Sequence, residues 1–164
     1  MSVRSADMSA GSTLTSDGWF TPKWLADALG RFDLDPCSNV NSHVRASMTA
    51  SLDGTSSYSD GLAVIWAGRS VFVNPPYSNV MPWARKLTEH TGPWVALLKL
   101  DPTTKWWAEL MRAMPAVAPF RKRIKFEGTL NMTANFPSVL VYNAWRPPVA
   151  LRPHLWLPTY GDGA

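Results

Sequence analysis

The chain predicts an α/β domain built on a mostly parallel sheet with a final antiparallel strand. Three observations carry this. The apolar runs Ser70–Val73, Pro93–Leu100 and Pro137–Asn143 read as buried strands. Helical patterns at Met81–His90 and Thr103–Met114 fall between them, and alternation of strands with helices favours parallel pairing. The last two strands, Ala116–Phe120 and Pro137–Asn143, are joined by residues 121–136 without a clear helix, so one of them should run antiparallel. With 164 residues, 46% of them hydrophobic, the chain has the size and apolar content of one compact domain.

Each element has a local reason. Residues 1–17 are rich in Ser, Thr, Gly and Asp and are expected to be mobile. Thr21 suits an N-cap and Pro22 a first helical position, opening a helix Pro22–Leu29 whose apolar face is Trp24, Leu25, Ala28 and Leu29. Gly30 ends it. Arg31–Leu34 reads as a short strand. Residues 39–60 are polar and weakly patterned, which predicts a loop with at most a short helix. Gly61–Trp66 fits a short helix or a strand. Met81–His90 turns Trp83, Ala84 and Leu87 to one side. Arg121–Gly128 reads as a basic hairpin arm. The chain therefore divides into a mobile segment 1–17, a main domain 18–143 and a Pro-rich tail 144–164 lying across the surface.

Composition excludes several classes. The single cysteine, Cys37, allows neither an internal disulfide nor a cysteine zinc cluster, and fits a reducing, cytoplasmic setting. No leader pattern is visible, and no apolar run approaches the roughly 18 residues that span a bilayer, so no membrane association is expected. A net charge of +4 permits attraction to a polyanion. Nine tryptophans imply an aromatic core, a stacking surface, or both.

Five constellations carry chemistry. Asn74-Pro75-Pro76-Tyr77 follows the strand Val71-Phe72-Val73, at the strand end where open α/β sheets place ligands. Two prolines stiffen the turn and hold one amide and one ring in a set relation. The Asn74 side-chain oxygen and the Pro75 carbonyl can accept both hydrogens of an exocyclic amine, and the Tyr77 ring can lie on the heterocycle that bears it. Asp33-Leu34-Asp35-Pro36-Cys37-Ser38 follows a strand and, alone, reads as a turn initiated by Asp-Pro. Trp19-Phe20-Thr21-Pro22 opens a helix whose N-terminus could face an anion, or is simply its cap. Ser59-Asp60-Gly61-Leu62 presents an acid able to accept from an amine, or a capping Asp; Asp53-Gly54 is a similar, weaker candidate. Arg121, Lys122, Arg123 and Lys125, flanked by Phe120 and Phe126, suit an arm that contacts phosphates, or a solvated charge run.

In their order and spacing these elements resemble the phage DNA N6-adenine methyltransferase family. The matching pieces also include Leu97-Leu98, Thr104-Lys105-Trp106, Arg123-Ile124-Lys125-Phe126 and Phe136-Pro137-Ser138, so the resemblance covers residues 18–143. It implies a Rossmann-like S-adenosylmethionine-dependent methyltransferase fold, compact and without a large target-recognition domain. It implies S-adenosyl-L-methionine as donor, S-adenosyl-L-homocysteine as product, no metal, and adenine N6 in DNA as acceptor, double-stranded with the target base flipped out. The catalytic set it implies is Asn74, Pro75, Pro76 and Tyr77, with in-line transfer to the amine. The cofactor would meet Trp19, Phe20, Thr21, Pro22, Asp35, Pro36, Cys37, Ser38, Asp60 and Asn74; DNA would meet Arg121, Lys122, Arg123 and Lys125. Phe126 or Phe136 would line the far side of the base pocket. Cys37 has no nucleophilic role, since amine methylation needs no covalent enzyme intermediate. The sequence departs from the usual pattern in one respect: the turn after the first strand has no glycine. Cytosine N4, RNA or protein amide acceptors, and a non-catalytic nucleic-acid-binding module on the same fold, stay open, as does the choice between monomer and homodimer. A phage-encoded chain would act in the host cytoplasm.

Overall fold

The computed structural model describes residues 18–51, 54–56, 58–128 and 133–157. The expected mobile segment 1–17, Asp53 and the end of the tail lie outside them. The described chain runs α1 (Lys23–Leu29), β1 (Arg31–Asp35), β2 (Arg45–Thr49), β3 (Val71–Val73), α2 (Met81–Glu89), β4 (Trp94–Lys99), α3 (Lys105–Met111), β5 (Ala116–Pro119), β6 (Ser138–Asn143) and a 3-10 helix, Val149–His154.

The six strands form one sheet in the order β2-β1-β3-β4-β6-β5. β1 pairs in parallel with β2 and β3, and β3 with β4. β6 lies antiparallel between β4 and β5, with Leu97 opposite Leu140 and Val117 opposite Val141. The expected antiparallel strand is therefore β6, inserted one place from the edge. The carboxyl ends of the other five strands share one rim.

Alternation along the strands sorts their side chains into two cores. Val71, Val73, Trp94, Ala96, Leu98, Val139 and Val141 face Trp83, Ala84 and Leu87 of α2 and Leu110 of α3. Phe72, Val95, Leu97 and Leu140 face Leu25 and Leu29 of α1 and Leu151 beside them. Burial on both faces is why these strands read as continuous apolar runs rather than alternating ones.

The local expectations are corrected in five places. Residues 45–49, expected to be loop, form the edge strand β2; its residues are half-buried or exposed, so it carries no hydrophobic run. The cap of α1 is Pro22, without a side-chain cap hydrogen bond, and the Thr21 hydroxyl is used elsewhere. Gly30 does end α1, with φ +90. α3 is shorter than expected, capped by Thr104, whose hydroxyl accepts from the Trp107 N–H at 3.3 Å. Residues 61–66 form turns, clasped to α2 by Lys86, whose ammonium donates to the Leu62 and Val64 carbonyls and lies over the Trp66 ring. Finally, residues 121–128 make isolated bridges rather than a strand of their own. They run along the sheet rim, bridged singly at Phe20–Glu127 and Lys125–Thr133, with Ile124 and Phe126 buried.

Candidate active site

A cleft of about 590 Å³ opens at the rim between β1 and β3. This is the switch point of the sheet, since the chain leaves β1 toward β2 on one side and toward β3 and β4 on the other. Its volume lies in the usual range for a small-molecule site, roughly 300–1,000 Å³. The turn after β1 supplies Pro36, Cys37 and Ser38; the segment after β2 supplies Ala50 and Ser51; the turn after β3 supplies Asn74 through Asn79. Asp60, Gly61 and Leu62 form the outer wall, α2 contributes Pro82 and Trp83, and Trp19 and Phe20 close the remaining side.

Asn74 leaves β3 half-buried, and its side chain is held from two directions. Its amide nitrogen donates to the Trp19 carbonyl at 2.9 Å and to the Thr21 hydroxyl at 3.1 Å. A carbonyl can only accept, so this contact fixes which end of the amide is nitrogen. The Asn74 oxygen therefore points away from Trp19, with its lone pairs available as acceptors. Thr21 is buried and reaches the site through Asn74.

Tyr77 is anchored as well. Its hydroxyl donates to the Leu97 carbonyl of β4 at 3.2 Å. Its ring meets Phe136 edge-on, with centroids 5.7 Å apart at 85°. Phe136 in turn meets Trp19 at 5.5 Å, and Phe126 completes the group at 5.6 Å from Trp19. The Lys99 ammonium sits 4.6 Å from the Phe136 ring centre and 5.2 Å from that of Tyr77. Desolvation pushes the Tyr77 phenol up, so it stays a neutral donor.

Asp35 does not line the cleft. It is buried behind the turn, accepting the Cys37 N–H at 3.0 Å and facing the Ser42 hydroxyl. Burial pushes its carboxyl up to about 7, partly offset by those two donors. Desolvation likewise raises the Cys37 thiol, keeping it un-ionised. Asp60 does line the cleft, with one carboxylate oxygen accepting the Leu62 N–H at 2.9 Å. Of the expected cofactor set, Trp19, Phe20, Pro36, Cys37, Ser38, Asp60 and Asn74 thus meet in one cleft, while Thr21, Pro22 and Asp35 stand behind it. Arg121, Lys122, Arg123 and Lys125 lie apart, along a second groove.

Residues 51, 82 and 83 line the cleft without having been singled out in the sequence. Trp83 carried a signal, since it belongs to the apolar face of α2, but core packing accounts for that equally. The glycine missing from the β1 turn has a counterpart across the cleft. A Cβ on Gly61 would lie 1.9 Å from the Pro36 carbonyl oxygen. Close approach of the two walls depends on a glycine, supplied by the opposite wall.

Among the described residues, no group of three or more His, Cys, Asp and Glu side chains could hold a metal ion. No helix among them is long and apolar enough to cross a membrane.

A parallel sheet with one antiparallel strand inserted beside its edge, and a switch-point cleft walled by an Asn-Pro-Pro-Tyr turn, define the class: a methyltransferase-like α/β domain. Comparison with known proteins narrows it. The family model for DNA N-6-adenine-methyltransferase (Dam) matches residues 9–147, and the chain belongs to that family. A DNA N-6-adenine-methyltransferase of Haemophilus phage HP1 (strain HP1c1) is 32% identical over 117 residues, which cover 64% of this chain and 64% of the relative. The match thus spans just under two thirds of that phage protein. No solved structure matches the chain significantly.

Proposed function

We propose that the chain transfers a methyl group from S-adenosylmethionine to the exocyclic N6 of adenine in DNA, leaving S-adenosylhomocysteine. The observation that carries this is the clamped amide of Asn74. Its nitrogen is occupied by Trp19 and Thr21, so its oxygen is the end left to accept, on a turn stiffened by two prolines.

The N6 lone pair of adenine is delocalised into the ring and is a poor nucleophile. With the Asn74 oxygen and the Pro75 carbonyl accepting its two N–H groups, the nitrogen is drawn toward tetrahedral geometry and its lone pair is localised. The gain is positioning and electrostatic stabilisation by groups fixed before the substrate arrives. The Tyr77 ring, held by Leu97 and Phe136, is a platform for the base. In a duplex the adenine has to leave the stack, at a cost of a few kcal/mol. Bound in the cleft, S-adenosylmethionine would supply an electrophilic methyl group. The residues present suit it: apolar walls from Trp19, Leu62 and Trp83 for a nucleoside, and Asp60 as an acceptor for an amine or a hydroxyl. Pro36, Cys37 and Ser38 of the turn after β1 line the cleft beside them. The basic residues Arg121, Lys122, Arg123 and Lys125 are exposed at the same rim and suit contacts to DNA phosphates.

The deciding experiment incubates the protein with labelled S-adenosylmethionine and unmethylated duplex DNA, digests the DNA and separates nucleosides by mass spectrometry. N6-methyldeoxyadenosine is the expected product. N4-methyldeoxycytidine would replace the acceptor, and binding of S-adenosylmethionine without transfer to any base would remove DNA as the substrate.

A further inference from the structure

The segment Trp19–Trp24 and the segment Phe120–Glu127 run side by side, bridged at Phe20–Glu127. At one end their rings, Trp19 and Phe126, belong to the cleft cluster. At the other end Trp24 meets Phe120 edge-on at 6.5 Å, and a second groove of about 430 Å³ opens. Arg121, Lys122, Arg123 and Lys125 line it, and among the described residues no acidic one does. Its far wall comes from Pro153 and His154, and Trp156 lies next to it, under Arg121. The His154 ring lies 5.0 Å from that of Trp24, and the Arg121 guanidinium packs over Trp156 at 4.1 Å. This wall is locked to the rim: the Arg121 N–H donates to the His154 carbonyl at 2.9 Å, the Arg121 Nε to the Leu155 carbonyl at 3.0 Å, and the Trp156 N–H to the Pro119 carbonyl at 2.8 Å. It also lies beyond the family match, which stops at residue 147.

The pattern is specific in charge and in surface. The four basic residues are exposed, while Ile124 among them is buried, and all four line the groove. Trp24 and Trp156 are 42% and 58% exposed, large apolar faces set at the margins of a cationic groove. Exposed aromatic rings interleaved with Lys and Arg suit a sugar–phosphate chain, whose phosphates meet the cations and whose sugars and bases lie on the rings.

We infer that the groove between α1 and residues 153–156 is a second DNA-contact site, holding the phosphodiester backbone that flanks the target adenine. Trp24, His154 and Trp156 complete the site that the basic strip begins. The inference rests on DNA being the substrate, and it deepens that reading by routing the strand along the rim from the cleft past Phe126 and Phe120.

The test is binding of a short fluorescein-labelled duplex to the full chain, read by anisotropy across a salt series. Each phosphate contact contributes a slope of about −0.9 in log affinity against log salt. The double variant Lys122→Ala/Arg123→Ala should lose about tenfold in affinity, with its salt slope shallower by about 2. Trp156→Ala should weaken binding by about fivefold or more with the slope unchanged, because a ring and not a charge is lost. Both side chains of the double variant are exposed, and unchanged thermal melting and S-adenosylhomocysteine binding would establish that the variants are folded. Folded variants that bind with wild-type affinity and slope would overturn the groove. A wild-type protein that methylates DNA while these variants bind normally removes the groove alone. A wild-type protein that shows the groove dependence and transfers no methyl group removes the methylation reading alone. A wild-type protein that binds no DNA removes both.

Discussion

Gly61 and Pro36 meet across the cleft so closely that a methyl group on Gly61 would stand 1.9 Å from the Pro36 carbonyl oxygen. The contact is backbone against backbone, so no side chain can turn aside to relieve it. Gly61→Ala must push the outer wall away from the β1 turn. The expected outcome is a loss of S-adenosylhomocysteine binding of tenfold or more by calorimetry, with the melting temperature changed far less than by a core deletion. Wild-type cofactor affinity in Gly61→Ala would show that the two walls do not jointly hold the ligand.

The clamp on Asn74 separates two variants. Asn74→Ala removes the acceptor and should abolish turnover while leaving cofactor binding nearly intact. Thr21→Val keeps the shape of residue 21 and removes one of the two acceptors that orient the amide. Losing a single neutral hydrogen bond costs about 0.5–1.5 kcal/mol, so kcat should fall by roughly threefold to tenfold with little change in cofactor affinity. Thr21→Ser, which restores the hydroxyl, should recover most of it. If valine and serine behave alike, the hydroxyl does not position Asn74.

Tyr77 is predicted to act through its ring. Tyr77→Phe loses the bond to the Leu97 carbonyl but keeps the aromatic face, so transfer should persist with a small loss of stability. Tyr77→Ala removes the face; stacking of a base on an aromatic ring is worth about 1–3 kcal/mol, and kcat/KM for DNA should fall by about tenfold to a hundredfold. Equal activity of the two variants in steady-state assays would rule out a stacking role.

Asp35 gives the fold a pH dependence. Its carboxyl has a folded value of about 7 against an ordinary 3.8, with burial as the dominant cause. Between those limits the folded protein holds a proton that the unfolded chain has released. The contribution of this group to stability is therefore fully present below about pH 4, is lost as pH rises through that window, and is gone above about pH 7. The change attributable to this group is on the order of a few kcal/mol. Asp35→Asn retains an acceptor for the Cys37 N–H and removes the titration, so its stability by urea denaturation should be flatter between pH 4 and pH 7. An identical slope in wild type and variant would assign the dependence to other groups.

The sequence announced those parts of the molecule whose cause is local. β3, β4 and β6 were readable because burial on both faces demands uninterrupted apolar residues. The Asn74–Tyr77 turn was readable because its stiffness lies in its own prolines. β2 was not, because Arg45–Thr49 is an edge strand paired only to β1, and neither face is deep enough to require a hydrophobic pattern. The partnership of Thr21 with Asn74 was hidden for a different reason. Its residues are 53 apart, and Thr21 already had a local explanation as a helix cap. Asp35 shows the converse: an acid expected to meet a ligand is spent on holding its own turn.

The tail has a consequence beyond the groove it walls. β5 is the outermost strand on its side of the sheet, and an outermost strand offers unpaired amides and carbonyls to any extended chain that passes. Leu155 bridges Phe120, the Trp156 N–H takes the Pro119 carbonyl, and Leu151 and Leu155 are wholly buried beneath. The tail therefore covers the carboxyl end of that outer edge, at Pro119 and Phe120. Cutting the chain after residue 147 would strip that cover, and the shortened protein should form aggregates rich in intermolecular β-structure even where its Asn-Pro-Pro-Tyr turn is intact.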